Sequence, residues 1–268
     1  MRILVTNDDG IQAPGIRVLA RALASAGHDV VVAAPSQEAS GMSAAMTAVE
    51  EDGRIVVVTH TIDGLDGVEA YGVAGSPAFI VLIASRGAFG PAPDLVYSGI
   101  NRGANAGLAV LHSGTVGAAF TAADNGSRAL AVSLDVLTAS AASAASGGAA
   151  GLRPGHTDAG RHWETAAAIA ADLLPTVKDL PEGTVLNLNV PDLPRDHVKG
   201  VRRARLARFG QVQMAVAETG RGYVRTALEE SSARLEEGTD LALLAEGYAT
   251  LTAVRAVSEV DVDLPDGP

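Results

Sequence analysis

The 268-residue chain has no cysteine, which removes disulfides, thiolate zinc sites and a cysteine nucleophile from consideration. Only 3% of it is aromatic although 47% is hydrophobic. The core therefore has to be built from Ala, Val, Leu and Ile, which suits parallel strands buried between Ala-rich helices. Positive charge is also scarce: 20 Lys and Arg against 31 Asp and Glu give a net charge of −11. That excludes a broad cationic face for a nucleic-acid polymer. A small anionic substrate stays compatible if a metal ion or helix N-termini supply the positive charge. No apolar run reaches membrane-spanning length, and the N-terminus lacks the basic, apolar and small-residue order of a secretory signal. No membrane contact and a cytoplasmic location are expected. No G-x-G-x-x-G follows the first strand, so the dinucleotide-binding fingerprint is absent.

What is present begins at the first ten residues. Ile3-Leu4-Val5 is a short run of branched aliphatics that feeds Thr6-Asn7-Asp8-Asp9-Gly10. Such a run, closed by a turn cluster, predicts a strand buried on both faces. In open α/β sheets ligands bind beyond the carboxyl ends of strands, which is where Asp8 and Asp9 fall. Taken alone, the pair fits either a solvated turn or half of a cation site.

Ile16, Leu19, Ala20 and Leu23 trace one face of a helix, with Pro14 in its first turn and Gly27 past its end. Val30 to Ala34 is a second strand, completing a βαβ unit, a connection that is right-handed with parallel strands. The loop that follows carries Ser40 and Ser43. Residues 54–59 and 68–73 predict a hairpin, and Ser76-Pro77 caps and opens a helix to about Ala84. Asp94 to Tyr97 predicts another strand, leading into Ser98-Gly-Ile-Asn101-Arg-Gly103-Ala-Asn105-Ala-Gly107. Three glycines would cost a soluble helix roughly 3 kcal/mol relative to alanine, so a folded-back loop is expected there. His112-Ser113-Gly114-Thr115 then reads as a helix start, a ready anion site. Ala129 to Leu134 is a further buried strand. Residues 136–160, almost wholly Ala, Ser and Gly at their centre, read as a low-complexity insertion. A helix from Trp163 to Leu173 stops before Pro175. Val185 to Val190, a basic segment over Lys199 to Ala207, an extended hairpin within 210–236 and a last strand over Gly247 to Val254 complete the chain. The expected architecture is a single α/β domain over 1–268: a Rossmann-like three-layer sandwich with a mainly parallel sheet and a C-terminal hairpin arm.

Asp8, Asp9, Ser40 and Asn101 would then converge on one sheet edge. All are hard oxygen donors, suited to one Mg²⁺ or Mn²⁺ and unsuited to zinc. Asn7, Asn105, Ser113, Gly114 and Thr115 are the candidates for phosphate and substrate contact beside it. A metal next to a phosphate cradle points to phosphoryl chemistry: water attacks phosphorus in line, with Asp8 or Asp9 accepting its proton. Five of the histidines read as solvated; His112 alone adjoins the site.

These motifs resemble the SurE family, the stationary-phase survival nucleotidases. The resemblance is carried by Asn7-Asp8-Asp9-Gly10-Ile11, Ala13-Pro14-Gly15-Ile16, Ser40-Gly41, Ser98-Gly-Ile-Asn101, Gly103-x-Asn105-x-Gly107 and Ser113-Gly-Thr-Val-Gly-Ala-Ala119. Asn187-x-Asn189-Val-Pro191, Gly238-Thr-Asp240 and Glu246-Gly-Tyr248 extend it nearly to the C-terminus. It implies a metal-dependent phosphatase of nucleoside 5′- and 3′-monophosphates, and of short polyphosphate in some members, with Asp8, Asp9, Ser40 and Asn101 as metal ligands. It also implies a homodimer or homotetramer built by exchange of C-terminal segments, here within 206–240. The sequence departs from the family at Thr121-Ala122, at His112 where Tyr is frequent, and at Ser76 and Ala253. None of these is an implied ligand; they bear on substrate preference and subunit contacts. The alternative is a nucleotide- or metal-binding protein on the same fold without turnover.

Overall fold

The computed structural model describes residues 1–136, 158, 160–208, 212–220, 223–230 and 235–259. Apart from 136, 158 and 160, the expected 136–160 insertion lies outside them.

The elements run β1 (Arg2–Thr6), α1 (Pro14–Ser25), β2 (Asp29–Pro35), β3 (Glu50–Glu51), β4 (Arg54–Ile55), β5 (Val57–His60), β6 (Glu69–Val73), α2 (Pro77–Ser85) and β7 (Leu95–Arg102). A 3-10 segment (Gly107–His112) leads to α3 (Gly114–Asp124), β8 (Arg128–Asp135), α4 (Trp163–Asp172), α5 (Leu174–Lys178), β9 (Thr184–Pro191) and β10 (Val201–Arg203). The hairpin β11 (Val212–Gly220) and β12 (Tyr223–Glu230), then α6 (Asp240–Ala245) and β13 (Ala249–Arg255), follow.

Nine strands form one sheet in the order β10-β13-β9-β8-β7-β1-β2-β6-β5. Six of its eight neighbouring pairs are parallel; β9–β13 and β5–β6 are antiparallel. The strands are apolar on both faces because helices cover both. Ile3 and Val5 join Ile16, Leu19, Leu23, Trp163 and Ile169 on one side. Leu4, pointing the other way, joins Ile80, Val81, Val116 and Ala119. Full burial of side chains such as Leu19 and Leu23 contributes about 2 kcal/mol each. The mainly parallel, doubly covered sheet is the α/β sandwich that the composition implied.

Three local differences from the expected elements stand out. β7 continues through Arg102 instead of ending near Tyr97. Gly99 allows this, since a Cβ there would lie 2.2 Å from the Val132 carbonyl of β8. Of the strand expected over 54–59, Arg54–Ile55 pairs with Glu50–Glu51 and only Val57–His60 pairs with β6. Past α4, Pro175 does not end helical structure but opens α5 in its first turn, where its missing N–H costs nothing. The Ser76 cap formed as expected, accepting from Phe79 N–H with Pro77 next in line.

From β1 the chain passes to β2 and β6 on one side, then returns to β7 and continues to β8 and β9 on the other. The strand order therefore reverses between β1 and β7, and a crevice opens there beyond their carboxyl ends.

Candidate active site

The turn after β1 supplies the two acids of this crevice. Asn7 shapes it: its Nδ2 donates to Gly10 O at 3.0 Å and its Oδ1 accepts from Gly10 N–H at 3.1 Å. Both ends of that amide are thereby spent on the turn, and Gly10 takes the positive φ of 98° that it requires.

Asp8 is 1% exposed and lies against the N-terminal end of α3. Thr115 Oγ1 donates to its Oδ1 at 2.5 Å, and the Thr115 N–H also bonds to it. Gly114 makes the approach possible, because a Cβ there would sit 2.8 Å from Asp8 Oδ2. Asp9 accepts from Arg102 N–H at 3.2 Å, which ties it to the end of β7. Burial pushes the Asp8 carboxyl above the usual carboxylate range despite the Thr115 bonds. Burial, and then the charge of Asp8, push Asp9 well above it.

Asn101, also on β7, is 3% exposed and donates from Nδ2 to Gly103 O at 2.7 Å, leaving Oδ1 as the end suited to a cation. The Ser40 loop is tied to the acid turn by a bond from Ala39 N–H to Asp8 O at 2.7 Å. Ser40 Oγ donates to Glu38 Oε1 at 2.7 Å. Glu38 adds its negative charge to the field at both aspartates. Sequence reasoning did not single it out, since a lone acid in a polar loop gives no signal. Ser43 reaches away, donating to Leu111 O at 2.7 Å.

Among the described residues no three of His, Cys, Asp and Glu gather into a metal cage. The donors here would suit a hard divalent ion all the same: the carboxylates of buried Asp8 and half-buried Asp9, Asn101 Oδ1 and the hydroxyl of the Ser40 loop that is tied to their turn are all oxygen.

Behind the crevice lies a polar layer. Asn105 N–H donates to Asn189 Oδ1 at 2.8 Å, and Asn105 O accepts from Asn187 Nδ2 at 2.7 Å and Asn189 Nδ2 at 3.0 Å. Its own Nδ2 donates to Ser133 Oγ at 2.9 Å. The Asn105 Oδ1 is buried without a protein donor. The signal for this brace was in the sequence as Asn187-x-Asn189, two amides on one face of a strand with no wet side. Ser113 caps α3 by accepting from Val116 N–H at 3.1 Å. His112 ends the 3-10 segment and is exposed. His162 was expected to be solvated, but its Nδ1 lies 2.9 Å from Asp192 Oδ1. Asp240 is fully buried and accepts from the N–H groups of Gly107, Ala207 and Leu241 at 2.7, 3.0 and 2.9 Å.

The family model described as survival protein SurE matches residues 3–213. A 5′-nucleotidase SurE of Aeromonas hydrophila is 38% identical over 257 residues, covering 94% of this chain and 91% of its own. A 5′/3′-nucleotidase SurE of Citrobacter koseri is 37% identical over 260 residues, covering 95% and 90%. The crystal structure of the Sure protein from Aquifex aeolicus superposes with a TM-score of 0.69 at 29% identity, covering 95% of this chain and 93% of that one.

Proposed function

The chain belongs to the SurE family, and from that premise we propose that it is a metal-dependent phosphomonoesterase. Its substrates are nucleoside 5′-monophosphates, 3′-monophosphates as well, and short polyphosphate; its products are nucleoside and phosphate. Relatives at 37–38% identity over nearly the whole chain carry the names 5′-nucleotidase and 5′/3′-nucleotidase. The observation that carries the reading is the pair of acids, Asp8 and Asp9, at the reversal point of the sheet, with Asp8 seated on the start of α3.

Asp8, Asp9, Ser40 and Asn101 are assigned as ligands of one divalent ion per subunit, Mg²⁺ or Mn²⁺. When bound, that ion supplies charge neutralisation on the phosphoryl group and a lowered pKa for water. Asp8 is the fixed member of the pair, because the Thr115 hydroxyl and amide hold it. Asp9 has a single bond from Arg102 N–H, which leaves it the freer of the two carboxylates to take the proton of the attacking water. Asn105, Ser113 and Gly114 hold the phosphoryl oxygens, where the positive end of α3 favours negative charge. Thr115 acts through Asp8. Attack in line with the departing nucleoside oxygen then transfers the phosphoryl group to water, and the released oxygen takes up the proton that Asp9 accepted or one from solvent.

Phosphate release from AMP, GMP, CMP and UMP with Mg²⁺ or Mn²⁺ present tests this. The expected outcome is turnover that chelation abolishes, and a drop of about 10³-fold in Asp9→Asn with an unchanged circular dichroism spectrum. Full activity in that variant or in excess chelator overturns the metal mechanism. Saturable nucleotide binding without any release would make this a binding protein.

We further assign the β11–β12 hairpin, within 206–240, to association as a homodimer or homotetramer in the cytoplasm. In support, these two strands form a sheet of their own and contact each other far more than any other described strand or helix.

A further inference from the structure

The mechanism above gives no task to Asp240, the first residue of α6 and the last of the Gly238-Thr-Asp240 motif, although its carboxylate is wholly withdrawn from solvent. A charge taken out of water persists only where other bonds replace the lost hydration. Here each replacement comes from the backbone. Oδ2 accepts from Gly107 N–H at 2.7 Å, and Oδ1 accepts from Ala207 N–H at 3.0 Å and Leu241 N–H at 2.9 Å. Leu241 is its neighbour in α6, whereas Gly107 and Ala207 are 133 and 33 positions away along the chain. One side chain thus ties together three separate segments.

Gly107 stands between the residues assigned to the phosphoryl group. Asn105 lies just before it, and the 3-10 segment that it opens leads to Ser113 and Gly114 at the start of α3. The chain around Gly107 lies hard against Ala207: Leu108 N–H donates to Ala207 O at 3.0 Å, and a Cβ on Gly107 would sit 2.8 Å from that oxygen. Ala104, Ala106, Ala207, Leu241 and Leu244 form a small buried cluster here, apart from the two larger ones on the faces of the sheet. Three of these five side chains are single methyl groups, so apolar burial holds the loop weakly and the bonds to Asp240 carry more of its placement. The metal side of the site is fixed by other means. Asp8 and Asp9 follow β1 directly, and Asn101 sits opposite Ser133 in the β7–β8 ladder.

We propose that Asp240 is a positioning residue for phosphate binding: through Gly107 it sets where Asn105 and the Ser113–Gly114 start of α3 stand, and it leaves the metal ligands untouched. The proposal rests on the phosphoryl role given to those residues above, and it makes the grip on phosphate depend on a group that never contacts it. Asp240→Asn tests this, because the amide keeps the shape but has one acceptor oxygen in place of two. With that oxygen kept on Ala207 and Leu241, the Nδ2 faces Gly107 N–H, donor against donor. Calorimetry should follow Mn²⁺ alone, then inorganic phosphate added to the Mn²⁺-loaded protein. Phosphate affinity should fall about fivefold, the effect of one lost hydrogen bond, while Mn²⁺ affinity stays unchanged. Equal losses for Mn²⁺ and phosphate overturn the proposal, and so does lowered thermal stability with both affinities intact, since each marks a merely structural carboxylate. A second measurement uses the wild type and stands if Asp240→Asn fails to fold. Its Gly107 amide proton should exchange with solvent far more slowly than that of an unbonded loop residue. Exchange at the open-loop rate overturns the tie. Neither measurement requires turnover. A wild type that hydrolyses no AMP, with the phosphate-selective loss still seen in Asp240→Asn, overturns the nucleotidase reading and retains the tie.

Discussion

Gly114 has no side chain to contribute, yet it sets the distance between α3 and Asp8. An added Cβ would lie 2.8 Å from Asp8 Oδ2 and 2.9 Å from Asp8 Cβ, closer than van der Waals contact allows. Gly114→Ala should shift Asp8 or α3 at a cost of about 1–3 kcal/mol. Calorimetry with Mn²⁺ should show about tenfold or greater weakening of binding, and nucleotidase activity should fall with it. Wild-type affinity in that variant would mean that Asp8 takes no part in holding the ion. The acid pair was legible at this scale, because two carboxylates after a short apolar strand are chemically unusual. The roles of its neighbours were not legible. Thr115 and Ser113 read alike as helix-start hydroxyls, yet one bonds Asp8 and the other accepts from Val116 N–H. Spacing along a chain does not encode which way a hydroxyl turns.

Among the elements, β1, α1, β2, α2, α3 and β8 were readable from apolar periodicity and caps. β7 was read short because its glycine and asparagine look like a loop; the strand continues past a register irregularity between Ser98 and Asn101 and pairs Asn101 and Arg102 with β8. The link between α4 and the end of β9 was not visible either, since it joins residues 30 positions apart. Arg161 Nη1 and His162 N–H donate to Asp192 at 2.8 Å each. Burial by itself would push the Asp192 carboxyl up, but these bonds and the His162 ring outweigh it and hold the carboxyl below its usual range. A lowered carboxyl pKa means that the folded state binds this proton less readily than the unfolded chain does. Its stabilising contribution is therefore complete at neutral pH and is lost as pH falls through the lowered value. Urea denaturation of wild type and Asp192→Asn should differ most near pH 7 and converge below about pH 4, where the unfolded carboxyl protonates. A constant gap across that range would show that packing, not ionisation, links the two elements.

At the scale of the whole molecule, the acids and the hairpin each make a prediction. Burial raises the proton affinity of Asp8 and, with the charge of Asp8, that of Asp9, so protons and a divalent ion compete for these oxygens. Saturating Mn²⁺ should raise the thermal midpoint, and the rise should shrink as the pH is lowered, because protons compete for the same oxygens. At 100 times its dissociation constant a ligand adds about 2.7 kcal/mol to folding stability. A rise undiminished by acidification into the range where carboxylates protonate would remove these carboxylates from the ion's coordination. If the hairpin joins subunits as proposed, deleting residues 212–230, which span β11 and β12, should leave a monomer in sedimentation velocity where the full chain sediments as a dimer or tetramer. An unchanged sedimentation coefficient would locate the subunit contact elsewhere.

The order of strands in the sheet also bears on how the site matures during synthesis. Asp8, Asp9, Ser40, Asn101, Ser113 and Thr115 all lie in the first 115 residues, and β5, β6, β2, β1, β7 and β8 are complete by Asp135. A ribosome-bound chain can thus assemble six adjoining strands and bring every assigned ligand together before its second half exists. The clamp on the Asn105 backbone arrives only with Asn187 and Asn189 on β9, and β9 itself stays an open edge until β13 pairs with it. β10, which emerges earlier, has no strand to join until then. The nascent protein would carry its chemistry first and its rigidity last, with the final strand closing the sheet.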